Sequence, residues 1–417
     1  MKGRPWVSGA AIALVLATGL GTWFAAHTSS GTVESFLARH WARPLAPQGE
    51  PPQQYSPLEA SLASKDCGLC HQKQHDDWRT SLHAHAVGPG ILWQFRIMKQ
   101  SEANDCLRCH APLAEQKALA AMEQGWPAAP TAAPPAYVPA SLYHEGLTCA
   151  ACHVRKHRRF GPPPRIAPSA GTAPAHGGFE AQPAFEDSRF CAACHQFPPE
   201  ARQLNGKPLE NTYEEWRTSP AARAGLACQS CHMPDRRHLW RGIHDPAMVR
   251  QGLKRDVEVE RVDAHTVRVS ASVRSVAVGH DFPTYAVPKI YVSLYLHRHG
   301  QAPRELAQKV IGRTLNVALD REISDTRLRP GEALRLSAAA SVPVGEATVE
   351  LRLDVAPAEH YERMFEQWQT RPETQTPHTA ALLREALAEA AASRYRLDSL
   401  IVPLPRRTGE TQRRADN

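Results

Sequence analysis

The stretch Cys67-Gly-Leu-Cys70-His71 recurs four more times in the chain. The repeats are Cys106-Leu-Arg-Cys109-His110, Cys149-Ala-Ala-Cys152-His153, Cys191-Ala-Ala-Cys194-His195 and Cys228-Gln-Ser-Cys231-His232. These five motifs use all ten cysteines of the 417 residues. Cys-X-X-Cys-His is the attachment signature of c-type haem. The two thiols add across the porphyrin vinyl groups, and the adjacent imidazole is held over one ring face as an iron ligand. Zinc knuckles, redox dithiols and disulfides also use Cys-X-X-Cys, but none requires His next to it every time. Histidine is 21 of 417 residues, so five such coincidences have a chance on the order of one in a few million. The reading is five covalently attached haems, each an iron site with His71, His110, His153, His195 or His232 as proximal ligand.

The totals set bounds around this reading. The length suits about two domains with a tail or linker. A hydrophobic content of 42% is ordinary, whereas 7% aromatics is sparse; five porphyrins would supply apolar filling of their own. The 35 prolines imply a loop-rich haem part. The formal charge of +7 would be largely offset by haem propionates, so it does not argue for a nucleic-acid partner.

Lys2 and Arg4 precede an apolar run from Trp6 to Ala26. A basic flank and a hydrophobic core of this length form an export signal long enough to span a bilayer. Phe24-Ala25-Ala26 is a poor cleavage site, so residues 1–28 are read as an uncleaved signal anchor in preference to a cleaved signal peptide. This puts the protein in the periplasm, tethered to the inner membrane. Pro44, Pro47, Pro51 and Pro52 make 29–58 a Pro-rich linker. The motifs begin 39, 43, 42 and 37 residues apart, too unevenly for a solenoid. They define a haem domain over 59–250, with each motif expected on a short helix that gathers Cys, Cys and His on one side.

Beyond residue 250 the hydrophobic period changes to two. Val257 and Val259, then Val267, Val269 and Ala271, alternate with polar residues; so do Ile290, Val292, Leu294 and Leu296, Leu334 and Leu336, and Val349, Leu351, Leu353 and Val355. Short runs of this kind predict an antiparallel β-sandwich-like domain over 251–357. Thr376-Pro377 opens an Ala/Leu/Glu-rich helix within a C-terminal helical segment, 358–404, and the polar residues 405–417 are expected to be disordered. The fold class is therefore α+β: a loop-rich, mainly helical multihaem domain, a β-sandwich-like domain and a C-terminal helix.

Sixteen of the 21 histidines lie outside the motifs. A surface or packed imidazole is the default for any one of them, yet five irons would use up to five as second axial ligands. An iron with two imidazoles is closed and transfers electrons; one lacking its partner binds exogenous ligands. Methionine is the other possible ligand. Met98, Met122 and Met248 are scattered, and Met233 directly follows a proximal His, so core packing is the better reading for these.

Several elements resemble multihaem cytochromes of the cytochrome c-554 type, whose haem-packing core is shared with hydroxylamine oxidoreductase and the multihaem nitrite reductases. They are Trp78-Arg-Thr-Ser81-Leu-His83-Ala, Glu145-Gly146-Leu-Thr-Cys149, Asp187-Ser-Arg-Phe190-Cys191, Tyr213-Glu-Glu-Trp216-Arg-Thr-Ser219-Pro, and Cys228-Gln-Ser-Cys-His-Met-Pro234 followed by His238-Leu-Trp-Arg-Gly-Ile-His244-Asp. The resemblance runs in order over roughly residues 60–300. It implies distal ligands at His83 (with His85 the alternative), at His144, at His176, and at either His238 or His244. Gly279-His280-Asp-Phe282-Pro283-Thr284 is similar to a Gly-His-X-Phe-Pro-Thr-Gly loop whose His reaches back to a haem, with Tyr285 in place of the final Gly. That implies His280 as the fifth distal ligand, clamping the β domain to the haem domain. With candidates for all five irons, the expected function is electron transfer between redox partners of a respiratory chain, a membrane quinol dehydrogenase being one candidate donor. The alternative is an oxidoreductase acting on nitrite or hydroxylamine at one open haem. No motif replaces its His with Lys, as the nitrite reductases do at their active haem. A sensor or structural subunit is a third class, and no signalling domain is legible.

Overall fold

The computed structural model describes residues 32–165, 175–342, 347–372 and 375–416. The expected anchor over 1–28 lies outside these residues, and among them no helix is long and apolar enough to cross a membrane.

The α+β class holds. Four motifs lie within helices, at the end of Gln100–His110, over the whole of Cys149–His153 and Cys228–His232, and at the end of Arg189–His195. The first runs off the end of Ser64–Gly68. Most of these helices are too short to persist in isolation, so tertiary contacts hold them. Thr148 caps Cys149–His153 by accepting a hydrogen bond from the Ala151 amide.

Helix α1, residues 32–40, corrects the reading of 29–58 as a linker. Val33, Phe36 and His40 are buried on one face of α1 at helical spacing. Val33 and Phe36 join a cluster with Ala184, Phe160, Phe185 and Phe190, and Leu45 and Gln48 are buried further on. The prolines that suggested a spacer follow this helix and turn the chain along the haem domain.

The sandwich is built from β1 (Leu253–Arg261), β2 (Thr266–Ser275), β3 (Lys289–Arg298), β4 (Arg304–Ile311), β5 (Ala333–Ser341), β6 (Ala347–Ala356), β7 (Tyr395–Pro403) and β8 (Thr411–Asp416). One sheet has the order β5-β2-β1-β8 and the other β7-β6-β3-β4, all neighbours antiparallel. Val257, Val259, Val267, Val269 and Val273 from the first sheet meet Ile290, Val292, Leu294, Val349, Leu351 and Leu353 from the second, each fully shielded from solvent.

Two boundaries move. The segment 358–404 is not helical throughout: after helices α2 (Glu359–Gln369) and α3 (Pro377–Ala392) it returns to the sandwich as β7. The tail is not disordered, because β8 pairs with β1 from Thr411↔Glu260 to Asp416↔Arg255. An edge strand needs no apolar face when backbone pairing and cross-strand charges hold it. Arg413 pairs with Asp256, and the buried Arg255 guanidinium takes both Asp416 and Asp398. Helices α2 and α3 pack on the haem domain around Trp93, whose indole lies edge-on to Phe365 at 5.6 Å and Trp368 at 5.5 Å. Gly90 permits this approach, since a Cβ there would stand 2.9 Å from Phe365 Cζ.

Replacing both acceptors of Arg255, Asp398→Ala with Asp416→Ala, leaves a buried cation uncompensated. The expected loss is about 3–5 kcal/mol of unfolding free energy, read from denaturant midpoints. A loss below about 1 kcal/mol would show that the triad contributes little.

Candidate haem centres

Three proximal imidazoles are oriented alike. His110 Nδ1 donates to Ala86 O at 2.6 Å, His153 Nδ1 to Phe160 O at 2.7 Å, and His232 Nδ1 to Arg241 O at 2.7 Å. A carbonyl acceptor fixes the proton on Nδ1 and leaves the Nε2 lone pair for a metal. The same device recurs on histidines outside the motifs. His238 Nδ1 donates to Arg236 O at 3.0 Å, His280 Nδ1 to Asp281 O at 2.8 Å, and His176 Nδ1 to Gly178 O at 2.9 Å.

Proximal and distal rings then face one another at one spacing. Ring centroids lie 6.1 Å apart for His153 and His238, 6.2 Å for His232 and His280, and 6.3 Å for His195 and His83. This is too wide for imidazoles stacked in van der Waals contact. Two imidazole nitrogens each about 2 Å from one iron put ring centroids about 6 Å apart. His83 Nδ1 is buried with no hydrogen-bond partner, a lone pair that is costly to bury unless a metal or donor uses it. For the first motif, His176 is close enough to lower the pKa of His71, after burial itself. His176 is held at φ +44° by its amide bond to Glu59 and by the Tyr55 hydroxyl on its carbonyl.

The second motif differs. Among the described residues no ring pair at this spacing involves His110; burial lowers its pKa, and it lies near enough to His83, which faces His195, to depress the His83 pKa. The implied ligand His144 is exposed instead, with Nε2 at 2.5 Å from the Glu123 carboxylate. The resemblance put His144 near a haem by its position before Cys149, but Glu123 has claimed its nitrogen. His85 is exposed with Nε2 against Arg79 O at 3.2 Å, so His83 and not His85 is turned toward a motif. His244 has open surface, yet burial lowers its pKa, so it too borders an interior space; of that pair it is His238 whose ring is set opposite a proximal histidine. Tyr361, near Cys106, has 40% of its surface open, yet burial raises its hydroxyl pKa. Its open surface therefore faces an interior slot.

The thiols connect the motifs in space. Cys67 touches Cys149, Cys109 touches Cys194, and Cys191 touches Cys228. The first motif thus adjoins the third, and the fourth adjoins both the second and the fifth. All ten cysteines are free of disulfides. Burial pushes the Cys152 thiol up to about 11, so the site disfavours a thiolate and suits a neutral thioether. Among the described residues no three His, Cys, Asp or Glu side chains converge on a point. A zinc site requires three or four protein ligands. The donor set fits a cofactor bonded through two thiols, with its iron between imidazoles.

His280 lies on the 276–288 connection between β2 and β3. Phe282 pairs through its backbone with Leu328, and Thr284 Oγ1 donates to Glu215 at 2.6 Å on the haem-domain helix Thr212–Arg217. Arg327 completes the anchor, bonding Glu215 at 2.7 Å and Thr284 O at 2.8 Å. A Cβ on Gly279 would meet Ala221 Cβ at 3.1 Å, so a side chain there would press the loop off the short helix Pro220–Arg223 that follows.

Sequence reading missed His40 and Trp240. His40 Nε2 donates to Cys152 O at 2.8 Å, and its ring stacks on Phe36 at 4.7 Å. Its signal was the spacing of Val33, Phe36 and His40, hidden by the nearby prolines. Trp240 stands between His238 and His244, two candidate ligands that dominate the pattern of that stretch.

No family model matches the chain, and no curated protein matches it in sequence. Among solved structures the chain is similar to a penta-heme cytochrome c552 from Thermochromatium tepidum, at 20% identity over 84% of this chain and 100% of that one, with a TM-score of 0.57. At that identity the likeness is one of fold.

Burial lowers the His40 pKa from 6.5 to about 3. The folded state thus keeps His40 neutral while the unfolded state protonates it. The stability it contributes is complete above about pH 6.5 and declines by about 1.4 kcal/mol per pH unit below that. His40→Phe keeps the ring and removes the titration, so the slope of stability between pH 6 and 4 should become shallower. An unchanged slope would assign the acid sensitivity to other groups.

Proposed function

We propose that this protein is a five-haem c-type cytochrome that passes electrons between redox partners in the periplasm. Cys67 and Cys70, Cys106 and Cys109, Cys149 and Cys152, Cys191 and Cys194, and Cys228 and Cys231 would carry the haems. The observation that carries the reading is the common 6.1–6.3 Å spacing of three facing imidazole pairs drawn from distant parts of the chain. His176, which lies near enough to His71 to lower its pKa, is the proposed partner of the first motif. A haem so held supplies one-electron chemistry with little change of ligands. The protein's part is to hold His110, His153, His176, His232, His238 and His280 by the second ring nitrogen and to keep the centres adjacent, as the thiol contacts between motifs do. The likeness in fold to a penta-heme cytochrome supports the haem count. The motif resemblance supports kinship with the c-554 group, and the basic-then-apolar N-terminus supports export and a membrane tether. The donor and acceptor are proposed as redox proteins, a membrane quinol dehydrogenase among them.

One observation favours a second activity on the same scaffold. His110 takes part in none of the three ring pairs, and the histidine that bears on it, His83, faces His195 instead; on this second reading the haem of the second motif keeps an open iron face. There the protein would bind a small ligand, nitrite or hydroxylamine being the class considered, with the other four haems exchanging electrons with it. The sequence expectation of five closed irons included His144, whose Nε2 meets the Glu123 carboxylate instead of a proximal ring.

Purified protein is expected to contain five haems by pyridine haemochrome assay. In the oxidised state at neutral pH, about four-fifths of the iron should be low-spin and one-fifth high-spin, and after reduction one haem should bind carbon monoxide. Five low-spin irons inert to carbon monoxide would remove the open site. A haem count below five would remove the reading as a whole.

A further inference from the structure

The ten residues from His232 to Arg241 touch ligands of three motifs. Arg241 O accepts from His232 Nδ1, orienting the fifth motif's own proximal ring. His238 faces His153 of the third motif. The Trp240 ring packs edge-on against His238 at 5.0 Å and against His83 at 4.7 Å, and His83 in turn faces His195 of the fourth motif. One indole therefore stands between the imidazoles that face two different motifs.

This segment is held away from its relaxed shape. Asp235, Arg236 and Trp240 have φ of +53°, +61° and +42°, a region that disfavours residues with a Cβ. Such backbone persists only where its surroundings over-determine it. Here they do. Arg237 donates to the Asp77 carboxylate at 2.9 and 2.5 Å, and the same carboxylate accepts the His238 amide at 3.1 Å. Arg236 is tied to Glu186 at 2.6 Å and to Pro163 O at 2.8 Å. The Trp240 amide donates to His232 O at 3.0 Å. These bonds fix where the indole sits.

We propose that Trp240 is a positioning residue for two haem irons at once, wedged between His83 and His238 so that neither distal imidazole turns about its iron bond independently. This role rests on the five-haem reading. Its location gives it weight, because thiol contacts group the first motif with the third and the fourth with the second and fifth, and Trp240 lies where the two groups meet. Asp77 acts on one side only, holding the backbone of His238.

The test uses the full chain with its haems, counted first. In low-spin ferric haem with two imidazoles, the angle between the ring planes sets the electron paramagnetic g-values. Trp240→Leu should shift the g-values of two of the low-spin centres and leave the others unchanged, and Trp240→Phe should shift the same two by less. Asp77→Asn should shift one of those two and not the other. The proposal is overturned by unchanged signals in the Trp240 variants, by a shift confined to one centre, or by Asp77→Asn moving both. If Trp240→Leu disturbs every centre through misfolding, the Phe and Asn variants decide between the same outcomes. A wild-type count other than five haems would instead overturn the functional reading on which this one stands.

Discussion

Pairs of imidazoles held about 6 Å apart, two of the three with both rings fixed by a hydrogen bond from Nδ1 to a backbone carbonyl, are the constraint on which this fold turns. A proximal histidine is local, because the motif helix that carries the thiols carries it too. Its partner must be brought from elsewhere, set at the right distance and then kept from rotating. The chain meets this with short, heavily tied loops. His176 is pinned by Tyr55 and Glu59, His238 by Asp77, and His280 by Glu215 and Arg327 acting through Thr284. Much of the polar bonding in the haem domain lies in these ties, not in the motif helices.

The β-sandwich is explained by the same constraint. Its interior is an ordinary aliphatic core and carries no chemistry of its own. What it provides is a rigid base for the connection that presents His280. A loop emerging from two long strands, one in each sheet, loses little further conformational freedom when its imidazole is fixed. Helices α2 and α3 brace another part of the haem domain through Trp93. The C-terminal third of the chain is thus a scaffold that wraps back on the first two thirds.

How much of this was legible follows from locality. The five motifs and their proximal ligands could be read directly, because attachment chemistry prescribes a contiguous pattern. The sandwich was legible from period-two alternation, since a strand buried on one face must write its pattern into the sequence. The distal ligands were harder. His83, His176, His238 and His280 were proposed as ligands through resemblance alone, and nothing in spacing says which motif each one faces. His144 shows the limit, for its position matched while Glu123, 21 residues earlier, took its nitrogen. Residues 411–416 were illegible for another reason: an edge strand held by backbone pairing and salt bridges looks like any polar tail. Trp240 was passed over because an indole between two imidazoles leaves no periodic trace.

The closing strand has a consequence for biogenesis. Arg255 is buried against Asp416, 161 residues later and one residue from the end of the chain. Synthesis runs from the N-terminus, so all ten thiols emerge well before β8 can pair. Contacts of such long sequence separation form late and slowly. The segment bearing the motifs therefore passes through a stage in which the sandwich is still unclosed. Attachment of a bulky macrocycle requires access to both thiols of each motif, and that interval is when access is greatest. The order of residues along the chain acts as a timetable, with the motif thiols presented before the strand that locks the first sheet.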